Sequence, residues 1–195
     1  AELKKDQAQT IARAMKREKL LAEKFVKCTE NENGELVKIA FENADQYNFA
    51  FDTVDEIAKA YPDKLAMLHI AEDGTERRFT FTDMKRLSNQ TVNYFRSLGI
   101  KKGDKVMLVL RRRYQFWLCM LALHKLGAVA IPATDQLLAH DFEYRFNAAG
   151  VKAIVCTSAG KAAAEVEKAE KTCPTLTTKV LVGGEREGWH DYDSE

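Results

Sequence analysis

The sequence predicts an α/β fold, a parallel sheet with helices on both faces, and three observations carry that expectation. Residues 105–110 and 153–157 are nearly continuous apolar runs, the pattern of strands covered on both faces rather than on one. Helical patterns at 115–126 and 138–149 alternate with these runs, and alternation of that kind argues β-α units joined by right-handed crossovers. The composition, 46% hydrophobic and 30% charged over 195 residues, is that of a globular chain long enough to bury one core.

Taken in chain order, residues 2–25 are rich in Ala, Lys, Glu and Gln with a narrow apolar stripe at Ile11, Met15 and Leu20 or Leu21, which predicts a solvated helix. Residues 28–48, with Asn31, Asn33 and Gly34, predict a loop holding one short strand near 36–39. The domain division follows: 1–48 as an N-terminal helix and loop, 49–195 as the α/β part. Residues 51–61 predict a helix closed by Pro62. Asp73-Gly74 between the β-favouring runs 65–71 and 77–81 predicts a hairpin. Thr82 is the expected cap of a helix whose apolar positions are Met84, Leu87, Thr91, Phe95 and Leu98, with Gly99 as its left-handed stop. Helix, hairpin, helix thus forms an entry module. The regular part follows: strand 105–110, helix 115–126, strand 128–132, a helix on Leu138, Phe142, Phe146 and Ala149 ended by Gly150, strand 153–157, helix 160–171 and strand 179–182. No closing helix or strand is expected after Val182, so its apolar edge should lie open and favour self-association.

Charge and composition exclude several functions. Thirty Lys+Arg against 29 Asp+Glu give a net charge of +1, without the basic excess of a dedicated nucleic-acid binder. The longest apolar run, 116–123, is far short of the about 20 residues that span a bilayer. Cys28, Cys119, Cys156 and Cys173 show no zinc spacing and read as structural thiols in a reducing compartment. With no apolar leader at the N-terminus, the expected setting is cytoplasmic.

Known catalytic signatures are missing. There is no G-x-G-x-x-G, no Walker loop, no H-E-x-x-H and no G-x-S-x-G, so no catalytic or metal-ligating residue is assigned. Asp191 and Asp193 read as solvated acids, and Phe116 and Trp117 as core. Two stretches remain informative. Arg111-Arg112-Arg113 follows a strand directly, which puts three guanidinium groups at the carboxyl edge of the sheet, where ligands of open α/β sheets bind and where Arg forks match phosphate oxygens. Pro132-Ala133-Thr134-Asp135-Gln136 leaves the next strand at the same edge.

Phe79-Thr80-Phe81-Thr82-Asp83-Met84 through Gly99-Ile100-Lys101-Lys102-Gly103-Asp104, followed by Leu123-His124-Lys125-Leu126-Gly127-Ala128-Val129-Ala130-Ile131-Pro132, resembles the N-terminal region of the adenylate-forming acyl-CoA synthetases. The finer run, Phe116-Trp117, Pro132 to Gln136, Glu143-Tyr144-Arg145, Lys152 to Val155, Cys173-Pro174 and Gly188-Trp189, is similar to the medium-chain type. That resemblance covers residues 45–193 and implies a truncated piece of the AMP-binding domain of a larger enzyme. It implies a two-step ligase: a carboxylate, short- to medium-chain or acetyl, attacks the α-phosphorus of ATP with Mg2+ present, and the thiol of CoA then displaces AMP. It also implies Gln136 on the CoA or substrate side and Lys161 as a CoA phosphate contact. The family's phosphate loop and adenylating Lys lie beyond this stretch, so the chain alone should be inactive, hold no cofactor tightly, and have the remainder of its own polypeptide as partner. A free-standing nucleotide- or CoA-binding module without chemistry, and a protein-interaction domain, stay open as alternatives.

Overall fold

A computed structural model describes residues 24–193. The helix expected over 2–25 lies almost wholly outside the described residues. The loop expected over 28–48 is instead an antiparallel hairpin of β1 (Val26–Glu30) and β2 (Leu36–Phe41), turned at Gly34 with φ 79°. The short strand expected near 36–39 is β2, and its partner β1 was missed because Val26–Glu30 is a polar, five-residue stretch with no strong alternation to read.

Asn48 then caps a π-helical turn, Phe49–Asp55, accepting from Ala50 N at 3.0 Å and Phe51 N at 3.3 Å. The short helix α1 (Glu56–Ala60) continues it. β3 (Leu65–Ile70) and β4 (Glu76–Thr80) form the hairpin predicted by Asp73-Gly74, with Gly74 at φ 82°. The next helix, α2 (Phe81–Ser97), is capped by Thr80 rather than Thr82. Thr80 and Asp83 satisfy each other's backbone N–H groups at 3.2 and 3.0 Å, a reciprocal box that outcompetes a single cap, while Thr82 donates to Pro62 O at 2.9 Å.

The predicted α/β architecture follows. β5 (Lys105–Val109), α3 (Gln115–Leu126), β6 (Val129–Pro132), α4 (Ala139–Ala149), β7 (Ala153–Thr157), α5 (Ala162–Ala169) and β8 (Thr178–Val182) alternate along the chain. The five-stranded sheet has the order β6-β5-β7-β8-β9, every pair parallel. Its last member, β9 (His190–Asp191), corrects the expectation of an open edge after Val182: it pairs with Val180 and Leu181, and Tyr192 N returns to Leu181 O at 2.9 Å. Both faces of β8 are buried as well.

Alternation within each strand divides the core into two layers. Val106, Leu108, Val155, Val180 and Val182 face α2 and α3 through Val92, Phe95, Ala122 and Leu123. Met107, Val109, Ile154, Cys156 and Leu181 face α4 and α5 through Phe142, Phe146, Ala163 and Val166. A third cluster, Ala50, Val54, Phe79, Met84, Leu118 and Leu121, seats the entry module against α2 and α3. α5 begins at Ala162, not at 160, because Gly160 adopts φ 80°.

Candidate functional site at the carboxyl edge of the sheet

The order β6-β5-β7-β8 contains one reversal. α3 leaves β5 toward one face, whereas α4 and α5 cover the other, so the chain departs from the carboxyl ends of β5 and β7 in opposite directions. That reversal is where open α/β sheets bind ligands.

The three arginines that follow β5 take three directions, not one. Arg111 is exposed and its Nε lies 3.7 Å from Asp135 Oδ2 in the loop after β6. Arg112 occupies the left-handed region at φ 46°, and its carbonyl lies 3.2 Å from His69 Nε2 on β3. Arg113 is half-buried, its guanidinium over the backbone of Gly183, where an added Cβ would sit 3.5 Å away. Glycine at 183 is favoured by its backbone conformation, φ 83°, rather than by this approach, since a Cβ there would only touch the guanidinium at van der Waals distance.

A hydrogen-bonded cluster unforeseen from the sequence ties the β5, β7 and β8 loops together. Ser158 Oγ donates to Gly183 O at 2.6 Å, and Gly183 N donates to Asp193 Oδ2 at 2.6 Å. Gln115 Nε2, on the first residue of α3, donates to Asp193 Oδ1 at 3.1 Å. Asp193 is exposed, as expected of a solvated acid, and in addition braces these loops. The glycine pair immediately after a buried strand was the available signal, because a backbone that must be approached closely needs it.

Gln136 and Lys161 lie on the same edge but on opposite sides of β5. Gln136 ends the turn after β6, its N donating to Thr134 Oγ1 at 3.3 Å, and its side chain is exposed. Lys161 immediately precedes α5 with an exposed side chain. By strand spacing alone the ends of β6 and β7 stand about 10 Å apart. Of the two aromatic residues expected in the core, Phe116 packs there, but Trp117 is 55% exposed.

The thiols behave as structural groups. Burial raises the pKa of Cys119, and burial likewise pushes that of Cys156 up to about 12. Neither supplies a thiolate at neutral pH. Among the described residues no group of three or more His, Cys, Asp or Glu side chains is placed to hold a metal ion.

A model of the family described as AMP-binding enzyme matches residues 54–195. The chain belongs to the AMP-binding enzyme family. Mouse (Mus musculus) acyl-coenzyme A synthetase ACSM5, mitochondrial, is 35% identical over 153 residues, which is 75% of this chain and 26% of that protein. The mouse ACSM1 enzyme is 32% identical over 161 residues, 78% of this chain and 28% of its own length. The chain thus spans about a quarter of the curated relatives it matches. The same fold occurs in the crystal structure of the anthranilate CoA ligase AuaEII in complex with anthranoyl-AMP, with TM-score 0.63 and 23% identity over 76% of this chain and 27% of that one. As a member of the AMP-binding family with relatives named mitochondrial, the chain does not fit the cytoplasmic setting expected from its sequence; the relatives point to mitochondria.

Proposed function

We propose that residues 49–195 form the N-terminal α/β part of the AMP-binding domain of an acyl-CoA synthetase, preceded by 1–48 as a separate segment. The complete protein joins a short- to medium-chain carboxylate to CoA at the expense of ATP, through an acyl-adenylate. The observation that carries this reading is the family match across 54–195, on a chain whose parallel sheet contains one reversal of strand order.

The residues at this edge fit phosphate-bearing substrates. Gln136 offers an amide to the CoA side and Lys161 a mobile cation to a CoA phosphate, while Ser158, Gly183 and Asp193 hold the β7 and β8 loops in register. Mg2+, when bound, neutralises charge on the ATP phosphates, which serve as its ligands in sites of this kind. Stabilising the charge that develops on a transferring phosphoryl group is usually the largest single contribution to catalysis. The proposed division of labour leaves that task, and the catalytic side chains, to segments of the longer protein outside this stretch.

The test is carboxylate-dependent exchange of labelled pyrophosphate into ATP. A protein carrying this chain together with the downstream segments found in its relatives should exchange on the order of 1 s⁻¹ or faster, and the 195 residues alone should not. In the longer protein Gln136→Ala should raise the apparent KM for CoA about two- to tenfold, the loss of one neutral hydrogen bond, with exchange unchanged. Absence of exchange from the longer protein across short to medium acids overturns the proposal.

A further inference from the structure

The half-buried cations of this chain have settled partners, with one exception at the sheet edge. Lys152 meets Asp104 at 2.6 Å, Lys179 meets Glu170 at 2.6 Å, Arg145 meets Asp141 at 3.4 Å and Lys125 meets Asp55 at 3.0 Å. Arg113 meets no carboxylate among the described residues, although it follows β5 at the carboxyl edge and its guanidinium lies against Gly183, just beyond β8. Lys85, half-buried and also without an ion-pair partner there, sits on α2 away from that edge.

Three features fix Arg113 in place. The residue before it, Arg112, is held at φ 46° with its carbonyl against His69 Nε2, a strained turn that directs the chain across the end of the sheet. The guanidinium is backed by Gly183, with its central carbon and both terminal nitrogens equally 3.5 Å from the position a Cβ would take. Gly183 in turn is clamped by Ser158 and Asp193. A planar guanidinium offers five N–H donors in a fork whose shape matches the oxygens of a phosphate. Neighbouring carboxylates do not occupy that fork: Asp193 is committed to Gly183 N and Gln115 Nε2, and Asp135 lies 3.7 Å from Arg111.

We propose that Arg113, rather than Arg111 or Arg112, is a phosphate anchor that receives a phosphate oxyanion of a nucleotide or CoA substrate at the carboxyl edge of the sheet, beside the loop after β8. This deepens the reading of the carboxyl edge as a substrate site and rests on it. Arg111 is an exposed surface charge beside Asp135, and Arg112 serves through its backbone.

The proposal is tested on the 195-residue chain itself, by titrating inorganic pyrophosphate, ATP, CoA and dephospho-CoA while following the amide signals of Ser158, Gly183 and Gly184 and the Arg113 Nε–H by NMR. Binding in the millimolar range should shift these signals. Arg113→Gln should weaken it about ten- to hundredfold, as loss of a charge-assisted bond implies, and Arg113→Lys should fall between. Arg111→Gln should change it by less than about threefold. Arg112→Gly, which suits a positive φ, should leave it intact. A preference for CoA over dephospho-CoA would locate the anion as the ribose phosphate, and equal response to ATP and pyrophosphate as a polyphosphate. Unchanged affinity in a folded Arg113→Gln, equal losses in all charge-removing variants, or no binding at all each overturn the anchor. None of these touches pyrophosphate exchange by the longer protein, so the family activity stands or falls separately.

Discussion

The five-stranded sheet and the two hairpins ahead of it treat the same kinds of apolar side chain in opposite ways. In β5, Val106, Met107, Leu108 and Val109 are each 0% exposed, because α2 and α3 cover one face and α4 and α5 the other. In β2, Leu36, Val37, Ile39 and Phe41 are 53, 60, 48 and 74% exposed. β3 repeats the pattern more mildly, with Leu68 at 41% and Ile70 at 60%. The difference lies in topology rather than in composition. A parallel crossover brings its own helix to cover each strand it creates, whereas a hairpin closes on itself and brings no covering layer. Two-stranded hairpins are only marginally stable alone, so what holds these is a few anchors: Phe25 on Tyr47 with ring centres 5.0 Å apart, and Phe79 on Tyr114 at 5.0 Å.

The sharpest way to test this contrast is to remove one aromatic side chain from the buried layers. Phe146, 0% exposed and packed on Phe142 with ring centres 5.5 Å apart, has no room to relax. Phe146→Ala should cost about 3–5 kcal/mol, transfer and cavity terms together, enough to leave much of the population unfolded at ordinary stability. Urea denaturation followed by circular dichroism reads the loss directly. A cost below about 1 kcal/mol would mean that the α4 layer is far looser than its burial implies.

A second break falls at the joint between the two regions. Lys125, near the end of α3, donates to Asp55 Oδ1 at 3.0 Å, Ser88 Oγ at 3.0 Å and Asn89 Oδ1 at 2.8 Å, and its side chain is 2% exposed. All three ammonium protons have acceptors. Burial lowers its pKa, and the hydrogen bond and charge of Asp55 oppose that drop. Lys125→Met keeps the packing but leaves the Asp55 carboxylate, 10% exposed, without its counter-ion. Removing one partner of a buried pair costs about 3 kcal/mol or more. The exchange of amides in the turn Phe49–Asp55 and in α1 should accelerate ahead of those in β5 and β7. Uniform acceleration throughout would show that the entry module and the sheet are one cooperative unit.

How legible each region was in the sequence follows the same division. Strands 105–110, 153–157 and 179–182 were readable because strands covered on both faces must be apolar throughout, and Gly99 and Gly150 marked helix ends by the conformation only glycine adopts cheaply. β2 was readable only in part, as a short strand near 36–39, and β1 not at all, since Val26–Glu30 carries too few apolar residues for a periodicity. β9 escaped because two residues are too few for any pattern. At the candidate site the arginine run and the glycines were visible, but their different orientations were not. What separates Arg113 from Arg111 is a φ of 46° at Arg112 and a glycine 70 positions later, 183 − 113 = 70, neither of which has a local signature.

Acid separates the regions in a third way. Glu167 on α5 accepts from Arg186 Nε at 2.6 Å, Arg186 Nη2 at 2.8 Å and Trp189 Nε1 at 2.9 Å, holding the loop that leads to β9. The Arg186 bonds, despite partial burial, bring its pKa from the ordinary 4.5 down to about 2. A depressed folded value means that the contribution is complete above pH 4.5 and disappears as pH falls toward 2. The edge strand and its loop should therefore fray between those limits, read as faster exchange at Trp189 and His190 or a red shift of Trp189 emission. Glu167→Gln should show the loosened state already at pH 7. A loop equally ordered in wild type at pH 2 and pH 6 would detach β9 from this carboxylate.

The smallest expected effect on stability belongs to the exposed hairpin, and there the informative quantity is association. With β9 covering the edge of β8, self-association expected from an open sheet edge loses its surface, and β2 becomes the better candidate for it. Phe41, 74% exposed, contributes little to the monomer, so Phe41→Ser should change its unfolding free energy by no more than about 0.5 kcal/mol. If copies meet through this face, Phe41→Ser together with Val37→Thr should shift sedimentation toward monomer at concentrations where the wild type associates, because apolar area removed from water drives such contacts at about 25 cal/mol per Å². A companion change at the opposite end, Val180→Thr in β8, should destabilise the fold without relieving association. Wild-type chain that sediments as a monomer from micromolar to near-millimolar concentration would show that four exposed apolar side chains on one short strand are too little surface to join two copies, and would leave burial by another segment of the longer polypeptide as the role of that face.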